Sequence, residues 1–501
     1  MQLVEHRIYG EGKIRRKRFG GFELYVEFED GIERWVRRDE VRFLSETPVL
    51  IKHKPSGLVL SEEQFKARQI IEALRLGVVP HKYVEEFTFG REEEIKQIKN
   101  WLDNPSDGSL VIIGEYGVGK THLLEYIYSF ALNNNWAVSI VELDPNEAPF
   151  HKPKVIYQKI ISSFRFKSQG GNFREFLRRI ALSIKGKNIE KYCFHEKFKI
   201  KEYNENGHLI YCPLYDTTIR EGAGLCEQCK YYYLNKNGIA SQNARYELKK
   251  NKYLGRIIEE IRNGTDEEQV YEWIEGNSTL HDFPRMYKYS TCANVYCYIL
   301  SGIGWAARNI LGLKGLLVLF DEAESVDSYW YTSYQNNKAW NFLTGVVLMA
   351  NNDKRLLLDI DNIRHRYTWS GHSQGWWGRY TGLQYCGYSH LPFIWKIPCY
   401  VKIIFTFTPI PWILNREPLN NLNKFELEHL DNESLMKISE TIITLYRRAY
   451  NFQPNKNRFD LVPKDKTRLF IKGMIGYRPF ICVNLKTCNG LTLPIFILQP
   501  K

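Results

Sequence analysis

The chain has 501 residues, more than one ordinary domain holds, and the usual domain size divides it into about two to four. Hydrophobic residues at 44% and charged residues at 25%, with no low-complexity block and no apolar run long enough to cross a bilayer, exclude a disordered, fibrous or membrane-spanning chain. Lysine and arginine number 69 against 57 aspartates and glutamates, a surplus of 12 that favours polyanionic partners, although solvated lysine explains it equally well.

The first residues, MQLVEHRIYGEGKIRRKRFGG, carry charges and glycines where a secretory signal needs an apolar core, so a cytoplasmic location is expected. In that setting ten cysteines point to reduced thiols or a metal site rather than disulfides. Residues 1–48 alternate like short strands, with Asp30-Gly31 as a hairpin signal, and predict a small β-barrel. The run VEHRIYGEGKIRRKRFGGFELYVEFEDGIERWV resembles the Tudor or SH3-like modules of CarD-type transcription factors and of UvrD-type helicase C-termini, with Val4, His6, Gly10, Gly12 and Phe28 in that pattern. The resemblance implies binding of protein or nucleic acid. Arg15, Arg16, Lys17 and Arg18 either face phosphates or decorate a solvated hairpin.

A linker over 49–60 leads to a helix that starts at Ser61 with Glu62 and Glu63 and stops at Gly77 and Pro80. Strand and helix then alternate: LVIIGEY, a helix from Lys120, AVSIVELD, a helix from Pro153, and much later GLLVLFDE and KIIFTFTP. Short continuous apolar runs between helices predict an α/β fold with a parallel sheet covered on both faces. About 170 residues separate the second and third strands, far more than a crossover needs, so an insertion is expected. The domain reading is a core over 61–185 and 236–415, a cysteine-rich insertion over 186–235, and a helical lid and C-terminal region over 416–501. In the lid, Leu435, Ile438, Ile442 and Leu445 share one helix face.

Gly114-Glu115-Tyr116-Gly117-Val118-Gly119-Lys120-Thr121 fits GxxxxGK[ST] without a mismatch, between a strand and a helix whose next residue is His122. Such a loop turns backbone N–H groups onto phosphates, with Lys120 reaching the β and γ oxygens and Thr121 ligating Mg²⁺. Asp321 ends a second buried strand, where it suits the Mg²⁺ shell, and Glu322 beside it suits polarisation of water. The pair favours ATP hydrolysis over kinase chemistry; an acidic helix start is the alternative. The strand ending FTFTP offers Thr408 first and Thr406 second as a γ-phosphate sensor resembling that of AAA+ ATPases, and GYRPF offers Arg478 as a lid arginine. Phe89-Gly90-Arg91-Glu92 resembles the box that opens initiator-type AAA+ domains, which implies Gly90 and Arg91 near base and ribose.

Six segments together resemble the AAA+ ATP-binding protein family of BREX phage-defence systems: ARQIIEALRLGVVP, FTFGREEEI, GEYGVGKTHLLEYI, VELDPNEAPFHKPKVIYQKII, LVLFDEAESV and LEHLDNESLMKISETIITLYRRAY. The resemblance implies an AAA+ P-loop core, ATP binding and hydrolysis, and work on a DNA-associated complex beside a helicase or methyltransferase. The N-terminal module and the cysteine insertion depart from that family's core.

Cys193, Cys212, Cys226 and Cys229 read C-x₁₈-C-x₁₃-C-x₂-C, a set that suits structural Zn²⁺, with His195 able to replace Cys193. An iron–sulfur cluster and free thiols are the alternatives. Cys292, Cys297, Cys386, Cys399, Cys482 and Cys488 lack that spacing and read as buried or incidental. A loop with Trp369, Trp376, Trp377, Tyr380, Tyr385 and Tyr388, flanked by Arg364, Arg366 and Arg379, either stacks on unpaired bases of DNA or packs on another domain or subunit. A finger arginine for a homo-oligomer has five candidates, Arg355, Arg364, Arg366, Arg379 and Arg416, among which the sequence does not choose.

Overall fold

A computed structural model describes residues 3–6, 9–18, 23–29, 31–44, 61–76, 81–167, 171–185, 211–212, 217–218, 242–263, 267–358, 363, 366–368, 375–451, 462–464 and 466–476. The chain divides into two compact units, 1–61 and 62–501.

In the first unit β1 (Leu3–His6), β2 (Gly10–Arg18), β3 (Glu23–Phe28), β4 (Glu33–Arg37) and β5 (Val41–Leu44) form an antiparallel sheet in the order β4-β3-β2-β1-β5. The two-residue side-chain period of a strand sends Leu24, Val26 and Phe28 inward against Val4, Ile14, Val36 and Val41. β4 and β5 end the order, and among the described residues no ladder joins them into the expected barrel. Gly31 takes the left-handed turn conformation at φ +72°. Within the basic cluster, Arg15 is tied to Glu27 across the β2–β3 ladder.

The second unit runs α1 (Glu62–Leu76), α2 (Glu92–Asp103), β6 (Ser109–Ile113), α3 (Lys120–Asn133), β7 (Ala137–Glu142), α4 (Pro153–Ser163), β8 (Arg165–Phe166) and α5 (Phe173–Lys185). Then come β9 (Tyr211–Cys212), β10 (Thr217–Thr218), α6 (Gln242–Lys249), α7 (Leu254–Asn263), α8 (Glu267–Ile274), α9 (Ala293–Asn309), β11 (Leu316–Asp321) and α10 (Ser333–Ala350). β12 (Arg366–Thr368), β13 (Gly375–Trp377), β14 (Gln384–Cys386), β15 (Val401–Phe407), β16 (Asn423–Glu426), α11 (Asn432–Tyr450) and α12 (Thr467–Gly476) complete it.

The central sheet has the order β16-β6-β15-β11-β7-β8, parallel except for β8, which runs antiparallel to β7. Every residue of β6, β11 and β15 is buried, as strands covered on both faces require. One face carries α4, α9 and α10 through residues such as Ile156, Ile303 and Phe342; the other carries α2 and α3 through Trp101, Leu123 and Ile127. Lys402 is the one charged side chain inside β15. Its ammonium donates to the carbonyls of Trp101 and Asn104 at 2.6 Å and of Asp107 at 2.9 Å, which closes the end of α2 onto the sheet.

Beyond the sheet, α11 buries Leu435, Ile438, Ile442 and Leu445 against Ile70 and Ile71 of α1 and Phe470 and Met474 of α12. Asp431 caps α11 by accepting from the Ser434 amide at 2.8 Å. No helix among the described residues is long and apolar enough to cross a membrane.

Candidate nucleotide-binding site

β6 ends at Ile113, and the loop 114–119 turns the chain into α3, which begins at Lys120. Gly117 and Gly119 have φ of +89° and +107°, so the loop's curvature depends on residues without a Cβ. The Lys120 ammonium folds over its own loop, donating to Gly114 O at 2.7 Å and to Glu115 O at 3.3 Å. Lys120 is thus a buried side chain held over the loop by two of the loop's own carbonyls.

Parallel pairing aligns β15 and β11 with Phe405 opposite Phe320, so the next step of the register sets Thr406 level with Asp321. Asp321, buried at the end of β11, therefore accepts from two hydroxyls: Thr406 on one side and, at 2.6 Å, Thr121 of the loop on the other. Thr408 lies beyond the strand end, and its hydroxyl and amide donate to Glu324 at 2.9 and 3.3 Å. Of the two threonines singled out by sequence, the one facing Asp321 is thus Thr406.

Glu322 adopts φ +53°, a conformation uncommon for a residue with a Cβ, and opens a single 3₁₀ turn over Ala323–Asp327. Burial, with Glu324 and Asp321 nearby, pushes its carboxyl up to about 7, against the pull of Lys120. A hydroxyl beside a buried carboxylate is a hard oxygen donor set, which fits Mg²⁺. A carboxylate poised near neutrality suits acceptance of a proton from water.

Residues 63–207 match the family model of the BREX system ATP-binding protein BrxC/D. No curated protein matches the chain. The match covers under a third of the chain and takes in the glycine loop, α3, β7 and the run 141–161. Asp321, Glu322 and Thr406 lie outside it, and folding brings them to the matched loop.

The expected base-side residues have clear positions. Arg91 is buried and donates to Glu94 at 2.8 Å, Val118 O at 2.9 Å and Glu428 O at 2.7 Å, so it fastens the loop to the segment leading into α11. Gly90 has φ +63° and lies so close to α11 that a Cβ would meet Ser434 Oγ at 2.1 Å. Both residues brace the site through packing. His122 bonds Thr88 through Nε2 at 2.8 Å, and burial together with Arg91 pushes it down to about 4, leaving it neutral at pH 7. Arg91 and His122 wall a narrow, mostly apolar cavity of about 50 Å³ beside Gly119, closed by Phe89, Leu430, Ile438 and Ile471. Two larger grooves of about 470 Å³ lie along α4, lined by Lys159 and Ser162, and involve none of the loop residues.

Sequence reasoning missed the residues that α12 brings. The Arg468 guanidinium donates to Tyr116 Oη at 2.7 Å and its amide to Gly117 O at 3.3 Å, so the start of α12 rests on the glycine loop. A basic residue in the first turn of a lid helix was the available signal, and it is weak. Arg478, the sequence's choice, lies outside the described residues, as do Cys193, His195, Cys226, Cys229, Arg364 and Trp369. Cys212 is described for its backbone in β9 alone, so the zinc expectation stands on the sequence; among the described residues no three His, Cys, Asp or Glu side chains are placed to hold a metal.

Cys292, Cys297, Cys386 and Cys399 are buried. From the aromatic loop, Tyr385 is core and Trp376 stacks on His390 at 4.7 Å, whereas Trp377, Tyr380 and Tyr388 are exposed. Of the finger candidates, Arg355 is paired with Asp353 and Arg416 lies 4.0 Å from the Trp340 ring centroid.

Proposed function

We propose that this chain is an AAA+ ATPase that binds and hydrolyses Mg-ATP to remodel or regulate a DNA-associated complex in phage defence or DNA processing. The observation that carries the reading is the convergence on Asp321: Thr121 from the glycine loop and Thr406 from β15 both donate to its carboxylate, with Glu322 next in the chain. β15, the strand whose terminal hydroxyls resemble the sensor strand of AAA+ ATPases, lies between the glycine-loop strand β6 and the carboxylate strand β11, and the BrxC/D match supports the defence context.

In this reading the loop amides of 114–119 and Lys120 hold the phosphates, Thr121 and Asp321 would hold Mg²⁺, and Glu322 takes the proton of the attacking water. Mg²⁺, when bound, neutralises charge on the phosphate oxygens. The chain's own contribution is preorganisation. Thr406 fixes the Asp321 carboxylate, while Thr408 fixes Glu324 beside the base, so neither carboxylate has to reorient during the reaction. Lys120 is already held over the loop, and a bound triphosphate replaces the loop carbonyls as its partner. Steady-state hydrolysis by the wild type and Glu322→Gln tests the assignment. The substituted chain is expected to bind ATP and lose turnover by about a hundredfold or more; wild-type turnover in it sinks the reading.

The contact of Arg468 with Tyr116 and Gly117 favours a second reading, a nucleotide-gated binding module in which ATP orders the lid, the N-terminal Tudor-like unit recruits a partner and turnover is negligible. Single-turnover measurement separates the two. Zinc at Cys193, Cys212, Cys226 and Cys229 completes the proposal; metal analysis of the purified protein decides between zinc, a coloured iron–sulfur cluster and free thiols.

A further inference from the structure

Three tyrosine rings meet at the surface of the second unit. Tyr287 and Tyr289 come from the segment before α9, and Tyr388 from the turn after β14. Their centroids are 6.0 Å apart for Tyr287 and Tyr388, 5.7 Å for Tyr289 and Tyr388, and 6.4 Å for Tyr287 and Tyr289, with interplanar angles of 19°, 32° and 29°. The three rings therefore lie side by side and within about a third of a right angle of parallel.

Two features fix that arrangement. Tyr287 donates its hydroxyl to Tyr388 O at 3.2 Å. Beneath them, buried Asn294 donates to Leu391 O at 2.7 Å and accepts from the Cys386 amide at 2.9 Å, which ties α9 to both flanks of the Tyr388 turn. Tyr289 and Tyr388 nevertheless remain 36% and 49% exposed. Rings this large, held rigid and wet, have no role in the core of this chain.

The charges beside them are basic. Exposed Arg285 and Lys288 alternate with the rings in the run Arg285-Met286-Tyr287-Lys288-Tyr289, and Lys154 of α4 lies close enough to Lys288 to feel its charge. Over 281–289 the formal charges are Arg285 and Lys288 against the one carboxylate Asp282, which lies 2.9 Å from His281. A ligand that complements this surface has flat apolar faces and negative charge.

We infer that the platform of Tyr287, Tyr289 and Tyr388, with Arg285, Lys288 and Lys154 around it, binds single-stranded nucleic acid by stacking unpaired bases and holding phosphates. Aromatic stacking tolerates any base, so the site is expected to be indifferent to sequence and sensitive to salt. The inference goes beyond the ATPase reading. It is tested without nucleotide, so a chain that hydrolyses nothing can still pass, and an active ATPase can still fail.

The test is fluorescence anisotropy of the full chain with a labelled fifteen-base oligothymidine, compared with an abasic strand of equal length and with duplex. The wild type is expected to bind oligothymidine tightest. Tyr289→Ala with Tyr388→Ala is expected to weaken it tenfold or more, with the denaturation midpoint and ATP affinity retained. Lys288→Glu, which leaves the rings in place and guards against misfolding of the double variant, is expected to weaken binding and flatten its salt dependence. A wild type that binds no oligothymidine overturns the inference and leaves the platform to a protein partner. Equal affinity for the abasic strand, or affinity within twofold of wild type in both variants, overturns it as well.

Discussion

Thr406→Val isolates the hydroxyl that the register of β15 sets against Asp321. Valine has nearly the same shape, and Thr406 is fully buried, so the change removes one donor without opening a cavity. A hydrogen bond to a buried carboxylate is worth about 1.5–3 kcal/mol, and the added methyl returns under about 1 kcal/mol of apolar burial, so a net loss of about 1–2 kcal/mol is expected in denaturant unfolding. Asp321 keeps Thr121 at 2.6 Å and the Glu322 amide at 3.1 Å and loses only its lateral support. Supporting bonds of this kind typically change metal affinity by about 10–100-fold. The assay is ATP turnover titrated with Mg²⁺, in which the half-saturating Mg²⁺ is expected to rise about tenfold or more and Thr406→Ser to restore it. Thr408→Val, which touches Glu324 instead, is expected to lower kcat with little change in Mg²⁺ dependence. A Thr406→Val chain with wild-type Mg²⁺ dependence, or Thr408→Val shifting it equally, refutes the division of labour.

Further outcomes are expected. Arg468→Ala removes the lid's hold on Tyr116 and should raise the ATP Kd several-fold in an equilibrium titration, with Arg468→Lys partly restoring it. His122 ionises near 6.5 when unfolded and near 4 when folded, so the unfolded chain holds more protons between those values and stability falls as pH drops through that window. The loss from pH 7 to pH 5 is about 2 kcal/mol, and His122→Asn should flatten it in pH-dependent melts. Gly108→Ala forces a Cβ to 1.9 Å from Ala350 O, a backbone atom that cannot rotate away, and is expected to destabilise the second unit by about 3 kcal/mol in urea unfolding.

The sequence by itself determined whatever depends on chain neighbours. The glycine loop is legible in GEYGVGKT because its curvature, its lysine and its following helix are consecutive, and the buried strands are legible because each is a continuous apolar run. The lid face of α11 is legible through its helical period. Tertiary structure alone decided which distant residues meet. Thr406 and Thr408 are two residues apart, a spacing that in an unbroken strand puts both on one side and so cannot rank them; the end of β15 at Phe407 and the ladder that sets Thr406 level with Asp321 do. Arg468 reaches Tyr116 across 352 residues, and Tyr287 reaches Tyr388 across 101. The box around Arg91 is legible in sequence, whereas the carboxylate and two carbonyls to which its guanidinium donates are assembled only by the fold. Local patterns fix what a residue can do, whereas its partners depend on strand order and on where the lid docks.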